Sequence, residues 1–321
     1  MPAITHKKIS FVIPVYNEAS GIVGFNKSLE EVVGTIVPNY EIIYINDGSR
    51  DNSVELITGL TNKNRNIKLI SLSRNFGKEN ALSAGIHYAN GDAVMMLDAD
   101  GQHPVELIPE FIQSWLNGNR VVVGVRTTNS NEGFVKKTGS YLFYKSFNKM
   151  SGKKLIPGTT DFRIIDKTVS EAFKQLKDSD RVTRGLIDWL GFKTSYIKFK
   201  AKSRKTGEPG YSFNKLVKLA MNSYVGFSTT PLYFFGYLGV VISSLSFILG
   251  LVVFIEQLLA GDPLHWKFTG TAMLGILIIF LVGILLMAQG ILSVYVSMIH
   301  NQAKQRPLYV IDFENSIGVD K

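Results

Sequence analysis

Asp98 and Asp100 stand two positions apart in Asp98-Ala99-Asp100-Gly101-Gln102-His103-Pro104, directly after the apolar run Ala93–Leu97. Two carboxylates at this spacing, on the turn that ends a strand, can share a divalent cation with a diphosphate. Mg²⁺ suits such a site because it takes few protein ligands and fills its shell from phosphate and water. An Asp-x-Asp on its own is also a common solvated turn, so the strand before it is what gives the pair weight. A second cluster, Asn46-Asp47-Gly48-Ser49 with Asp51, closes the apolar run Tyr40–Ile45. It reads as a helix cap, since Asp and Ser both cap well, or as a carboxylate facing a nucleoside. Arg74 and Lys78, in Arg74-Asn75-Phe76-Gly77-Lys78, suit either the start of a helix or direct chemistry. Arg163 and Asp166 suit a structural ion pair, Trp189 a core position, and His103 a hydrogen bond within its own turn rather than metal ligation.

Holding these groups together requires strands that end at one edge. Apolar runs predict strands over Ile9–Pro14, Tyr40–Ile45, Ile67–Leu72, Ala93–Leu97 and Val121–Val125, with helical patterns around Ile22–Val33, Asn52–Leu60 and Glu79–His87. Strands alternating with helices imply right-handed crossovers and a mostly parallel α/β sheet. Ligands in such sheets sit at the carboxyl ends of the strands, where the polar clusters fall. Further along, the pattern predicts an amphipathic helix around Phe134–Phe147, a strand Thr159–Ile165, helices Lys167–Leu176 and Arg181–Trp189, and an alternating strand Thr194–Ala201.

The 321 residues carry a formal charge of +9 and no cysteine. Disulfides and cysteine-based zinc sites are thereby excluded, and a cytosolic catalytic domain is allowed. Met1–Lys8 is short and polar and is not read as a signal peptide. Much of the positive charge lies between Lys193 and Lys218, just before a long apolar region. That placement favours an anionic membrane surface, and no nucleic-acid motif accompanies it. Phe213–Phe227 has the apolar stripe of an amphipathic interfacial helix. Pro231–Ile255 and Phe268–Ala303 hold no Asp, Glu, Lys or Arg, and each exceeds the ~20 residues that cross a bilayer. Basic residues flank both runs, so the positive-inside rule places the large domain and both termini in the cytoplasm, at the cell membrane.

Pro14-Val15-Tyr16-Asn17-Glu18, Asn46-Asp47-Gly48-Ser49, Arg74-Asn75-Phe76-Gly77-Lys78, Asp98–Pro104 and Asp161-Phe162-Arg163 occur in that order. Together they resemble the family-2 glycosyltransferases of GT-A fold, in the branch of dolichol-phosphate mannose synthases and bacterial undecaprenyl-phosphate glucosyltransferases. The resemblance runs through nearly the whole chain. It implies a Rossmann-like catalytic domain over residues 1–203, an acceptor loop and amphipathic juxtamembrane helix over 204–229, a two-helix transmembrane hairpin over 230–303 and a cytoplasmic tail over 304–321. It also implies inverting transfer from a nucleotide sugar, with UDP-glucose or UDP-N-acetylglucosamine ahead of GDP-mannose, to a polyprenyl phosphate. Pro14, Tyr16, Glu18 and Asp47 would line the nucleoside pocket, with Asp98 at the ribose and phosphates and Arg126 on the donor side. Asp100, with Gln102 as neighbour, would hold Mg²⁺ or Mn²⁺, and Asp161 would lie near the sugar and the attacking oxygen. Arg204 and Lys205 would meet the acceptor phosphate. Lys136 and Lys137 stand where several relatives have an arginine, and lysine keeps the charge but not the bidentate geometry. Family members also suggest a homo-oligomer, a tetramer. A competing reading is a non-catalytic, membrane-tethered nucleotide-sugar-binding protein, against which the intact Asp98, Asp100, Asp161 and Arg204 argue.

Overall fold

The computed structural model describes residues 5–127, 158–178, 181–200 and 270–319, with isolated positions 241, 244, 245 and 248. The chain divides into two compact units. One comprises Met1–Tyr141, Ile156–Pro209 and Arg306–Lys321, and the other Leu142–Leu155 with Gly210–Gln305.

In the first unit the apolar runs form strands β1 (Ile9–Val15), β2 (Tyr40–Asn46), β3 (Ile67–Leu72), β4 (Ala93–Met96), β5 (Val121–Arg126), β6 (Thr159–Asp166), β7 (Thr194–Phe199) and β8 (Ile311–Ile317). They make one sheet in the order β7-β5-β6-β4-β1-β2-β3-β8. Pairs β1–β2, β1–β4, β2–β3 and β5–β7 are parallel, while β6 lies antiparallel to β4 and β5, and β8 antiparallel to β3. Between the strands run helices α1 (Ile22–Ile36), α2 (Ser53–Lys63), α3 (Lys78–Tyr88), α4 (Ile108–Leu116), α5 (Lys167–Lys174) and α6 (Thr183–Trp189).

Both faces of the central strands are buried, which is why they read as continuous apolar runs rather than alternating ones. Ile9, Phe11, Ile13 and Val15 of β1 join Leu29 and Val33 of α1 and Phe111, Ile112 and Trp115 of α4 in one core cluster. On the other face α3 packs against β1 and β2. There Gly85 allows the approach, because a Cβ would stand 2.3 Å from Val12 Cγ1. Helix α4 buries the i, i+3, i+4, i+7 set Ile108, Phe111, Ile112 and Trp115, the stripe expected of a helix packed on a sheet.

The expected Arg163–Asp166 ion pair does not form. Residues three apart on a strand point to opposite faces. Arg163, 1% exposed, reaches Asp188 at 3.4 Å instead. Asp166 accepts from Arg120 at 2.8 Å and from the Trp115 indole at 2.9 Å, and its carboxylate caps α5 through the Thr168 amide. Trp189 is 56% exposed and so is no core residue; α6 is short and buries only Thr183, Leu186 and Ile187.

At the amino ends of the strands, Glu41 is a structural anchor. Its carboxylate accepts from Ser10 Oγ at 2.6 Å and the Asn90 amide at 2.8 Å, and pairs with Lys8 at 3.0 Å and Lys68 at 2.9 Å. Burial alone would raise its pKa, but these partners bring it down to about 2. A carboxyl depressed from its ordinary 4.5 stabilises the fold fully above that value, and the contribution is lost as pH falls towards 2. Glu41→Gln is expected to lose about 1.5–3 kcal/mol at pH 7. Thermal unfolding should show the gap to the parent protein closing as pH drops from 4.5 to 2. A gap that stayed constant would deny the carboxylate this role.

In the second unit a single long helix is described, α7 (Gly270–Ala303). Among the described residues no helix is long and apolar enough to cross a membrane. The first expected span, Pro231–Ile255, lies outside them but for the four isolated helical positions, and several apolar side chains of α7 are likewise undescribed. The expected helices Phe134–Phe147 and Phe213–Phe227 also lie outside the described residues.

Candidate active site

Because β1, β2, β3 and β4 are parallel, their carboxyl ends open on one edge. Strand β6 runs the other way beside β4, with Met96 opposite Arg163. Continuing that register by two residues sets Asp98 opposite Asp161, so the sheet itself brings two carboxylates face to face.

Lys78, the first residue of α3, stands between them. Its Nζ lies 2.5 Å from Asp98 Oδ1 and 2.9 Å from Asp161 Oδ2. Burial would raise the Asp161 carboxyl, but Lys78, with Arg184 and Arg163 behind it, holds it at about 2. Burial would lower the Lys78 ammonium, and the two aspartates instead push it above the ordinary lysine value. At neutral pH Asp161 is therefore a carboxylate and Lys78 an ammonium.

The residues around Lys78 fix its place. Asp47, 2% exposed, accepts from the Phe76 amide at 2.7 Å and the Gly77 amide at 2.9 Å. Gly77 has φ 95 and Gly48 φ 68, a region that costs an L side chain energy and glycine little. At Gly48 a Cβ would also stand 2.5 Å from the Asn75 amide nitrogen. So the end of β2 and the loop after β3 are clamped together, and α3 starts where its first side chain meets Asp98 and Asp161. Asp47 is held inside this clamp, while its neighbours Gly48 and Ser49 line the adjoining cavity.

His103 supports the other side. Its Nδ1 accepts the Asp98 amide at 3.0 Å, which leaves its proton on Nε2. Burial pushes its pKa down. The ring stacks on Phe162 at 5.0 Å, and Phe162 meets Phe111 at 4.3 Å. Strand alternation thus turns Asp161 to the site while Phe162 anchors the strand in the core. Asp100 Oδ1 accepts from the Gln102 amide at 3.0 Å, and Arg126, at the end of β5, donates to Gln102 Oε1 at 3.4 Å.

Beyond the ends of β1, β2 and β3 lies a cavity of about 450 Å³, lined by Tyr16, Ser49, Arg50, Arg74, Asp312 and Asn315 among others. Pro14 is half-buried within β1, and the Glu18 amide donates to Ser53 Oγ at 3.0 Å. Arg74 lies over the Phe76 ring at 4.3 Å. The structure therefore brings Asp98, Asp161 and Lys78 together, and Gln102 with Arg126. Arg204, Lys205, Lys136 and Lys137 fall outside the described residues.

The model of the glycosyl transferase family 2 matches residues 10–173, the stretch that carries Asp47, Lys78, Asp98, Asp100, Gln102, Arg126 and Asp161. The chain belongs to glycosyl transferase family 2. Over nearly its full length this family-2 chain is similar to a bactoprenol glucosyl transferase of Shigella phage SfV. The two are 36% identical over 307 residues, 96% of this chain and 99% of that one. An uncharacterized glycosyltransferase of Bacillus subtilis (strain 168), YkcC, is 35% identical over 315 residues, 98% of this chain and 96% of the relative. Among solved structures, the mannosyltransferase PcManGT from Pyrobaculum calidifontis, in complex with GDP-Man and Mn²⁺, matches at 16% identity. The TM-score is 0.47, over 66% of this chain and 61% of that chain. The α/β domain with its mostly parallel sheet is that of a family-2 glycosyltransferase.

A divalent cation, which the resemblance implies, would need hard oxygen donors. Among the described residues no group of three or more His, Cys, Asp or Glu could hold a metal. Asp98 and Asp100 supply carboxylate oxygens at one turn. That donor set fits Mg²⁺ or Mn²⁺, which take one or two carboxylates and complete their shell from phosphate and water.

Lys78 is the site residue that sequence reasoning weighted least. A signal was present: a cation in the first turn of a helix opposes the macrodipole, so a lysine there implies an anionic partner. Asp312 and Asn315 belong to a strand the sequence pattern does not announce.

Proposed function

We propose that this family-2 glycosyltransferase moves a hexose from a UDP-sugar to undecaprenyl or another polyprenyl phosphate, with glucose or N-acetylglucosamine as the sugar. The observation that carries this reading is the Lys78-bridged pair of carboxylates at the strand ends, beside a polar cavity large enough for a nucleotide. The similarity to bactoprenol glucosyl transferases along almost the whole chain supports a lipid phosphate as acceptor. A non-catalytic binding protein would have no use for that cluster.

The acceptor phosphate monoester has a second pKa near 6, so it is mostly dianionic at neutral pH and needs little help from a base. A carboxylate held at about 2 is a poor base in any case. In this reading Asp161 steadies positive charge at the anomeric carbon and orients the phosphate. A single displacement there inverts the configuration. Lys78 keeps Asp161 ionised and gives the departing diphosphate a positive neighbour. When bound at Asp98 and Asp100, Mg²⁺ or Mn²⁺ supplies Lewis-acid neutralisation of the leaving group. Arg126 and Gln102 lie on the donor side. Arg204 and Lys205, with Lys136 and Lys137, take the acceptor phosphate by charge-assisted hydrogen bonds.

The same reading makes Pro231–Ile255 and Phe268–Ala303 two membrane crossings, with Phe213–Phe227 along the interface and the catalytic unit and both termini cytoplasmic. Support comes from the absence of Asp, Glu, Lys and Arg in both runs and from the basic residues that flank them. Homo-oligomers fit the resemblance. The test is an assay of membranes carrying the protein with radiolabelled UDP-glucose, UDP-N-acetylglucosamine and GDP-mannose. The expected result is label from a UDP-sugar in the organic, lipid-linked product. Label from GDP-mannose alone would reassign the donor, and no lipid-linked product from any of them would overturn the acceptor.

A further inference from the structure

We infer that strand β8, the segment Ile311–Ile317 near the end of the chain, reads the nucleobase of the donor through Asp312 and Asn315. The inference rests on the proposed nucleotide site and deepens it.

Strand β8 closes the sheet edge beside β3, and an edge strand needs no more than regular pairing to do that. The pairing here is not regular. Leu72 and Ser71 face Ile311 and Asp312, but Leu69 faces Ile317, so β8 spends four residues where β3 spends one. The bulge is tied shut from within and from β3. Ser316 Oγ donates to the Asp312 carbonyl at 2.6 Å, the Asn315 amide side chain donates to Asp312 Oδ2 at 2.7 Å, and the Ser71 amide donates to Ser316 Oγ at 3.0 Å. Bulges re-aim side chains and are frequent beside active sites. This one sets Asp312 and Asn315 on the wall of the 450 Å³ cavity, which Tyr16, Ser49 and Arg74 also line.

The chemistry of that wall selects a ligand end. Asp312 is the one carboxylate among the described residues lining the cavity, where Arg50 and Arg74 are the cations. A carboxylate accepts hydrogen bonds and donates none. It repels a diphosphate, which therefore lies toward Lys78, and it favours a ring N–H. Uracil and guanine carry such an N–H beside a carbonyl, and the Asn315 amide can serve that carbonyl. Cytosine and adenine offer a lone pair at the corresponding position and would be rejected. The strand thus selects uracil- or guanine-type nucleotides over the other two.

The test uses the full chain in detergent, titrated calorimetrically with UDP, GDP, CDP and ADP, in the parent protein and in Asp312→Ala, Asn315→Ala and Glu314→Gln. Losing a hydrogen bond to a charged group weakens binding about ten- to a hundredfold. Asp312→Ala is expected to lose that much affinity for UDP or GDP, whichever binds, and most of the preference over CDP and ADP. Asn315→Ala should lose less, and Glu314→Gln, outside the cavity, nothing. Photolysis of bound 5-azido-UDP-glucose should label the peptide that contains β8. It does so in the parent protein, so this arm holds even if a variant fails to fold. Unchanged affinities and preferences, with label on the Tyr16 or Arg74 wall but none on β8, would overturn the inference and leave the nucleotide site standing. Label away from both walls would overturn the site reading, and the inference with it.

Discussion

Asp161→Asn is expected to lower sugar transfer by about 10²–10³-fold, the scale seen when one preorganised electrostatic group is removed from an active site. The loss should fall on kcat, because the charge on Asp161 matters most when positive charge develops at the anomeric carbon. Lys78→Met tests the same cluster from the other side. Without the ammonium, Asp98 and Asp161 face each other with no cation between them, and burial then raises the Asp161 carboxyl from about 2. A group whose pKa rises protonates at higher pH, so the acid limb of the pH–rate profile should move upward in this variant. Lys78→Arg should restore the limb but only part of the rate, since the wider guanidinium cannot sit at the same two distances. Retention of more than about a tenth of the activity in Asp161→Asn would fall short of the loss expected of such a group and remove it from the chemistry. An unmoved acid limb in Lys78→Met would reduce Lys78 to a surface lysine.

Much of this arrangement is legible in the chain because local chemistry and global fold agree. The runs Ile67–Leu72 and Tyr40–Ile45 are mostly apolar, interrupted only by Lys68, Ser71 and Glu41, and become β3 and β2 almost to the residue. The polar clusters that close them fall at the carboxyl ends, as a parallel sheet requires. What the pattern cannot convey is lateral order. Nothing local says that β6 inserts antiparallel between β4 and β5, yet that insertion alone sets Asp161 against Asp98. The pairing of Arg163 with Asp188 rather than Asp166 follows from the pleat, and becomes visible only once the strand is fixed. Strand β8 is hidden for a different reason. Asp312, Glu314, Asn315 and Ser316 are poor strand formers, and the bulge breaks the alternation that would announce a strand. Helix α4 carries a clear apolar stripe at Ile108, Phe111, Ile112 and Trp115, but two prolines, Pro104 and Pro109, crowd its start.

Asp100→Asn is the second change expected to cost orders of magnitude in turnover, through loss of the divalent cation. Asp100 lies on the turn after β4, where the Gln102 amide fixes one carboxylate oxygen at 3.0 Å, and Asp98 is its only acidic neighbour within that turn. Asp98 is engaged with Lys78 at 2.5 Å, so the two carboxylates of the turn have different surroundings. Mg²⁺ keeps few protein ligands, so the loss of one charged ligand from a pair cannot be made good by others. An amide there keeps the size and one acceptor oxygen but surrenders the charge. Transfer with Mg²⁺ or Mn²⁺ should therefore collapse in Asp100→Asn, and raising the metal concentration should recover only part of it. Binding gives a readout independent of turnover. The parent protein should bind UDP more tightly with the metal than without it, and the variant should show little difference. The unfolding midpoint should stay close to that of the parent, because Asp100 sits on a half-exposed turn outside the core. Full activity in the variant, or in the parent protein with excess chelator, would remove both Asp100 and the cation from the reaction.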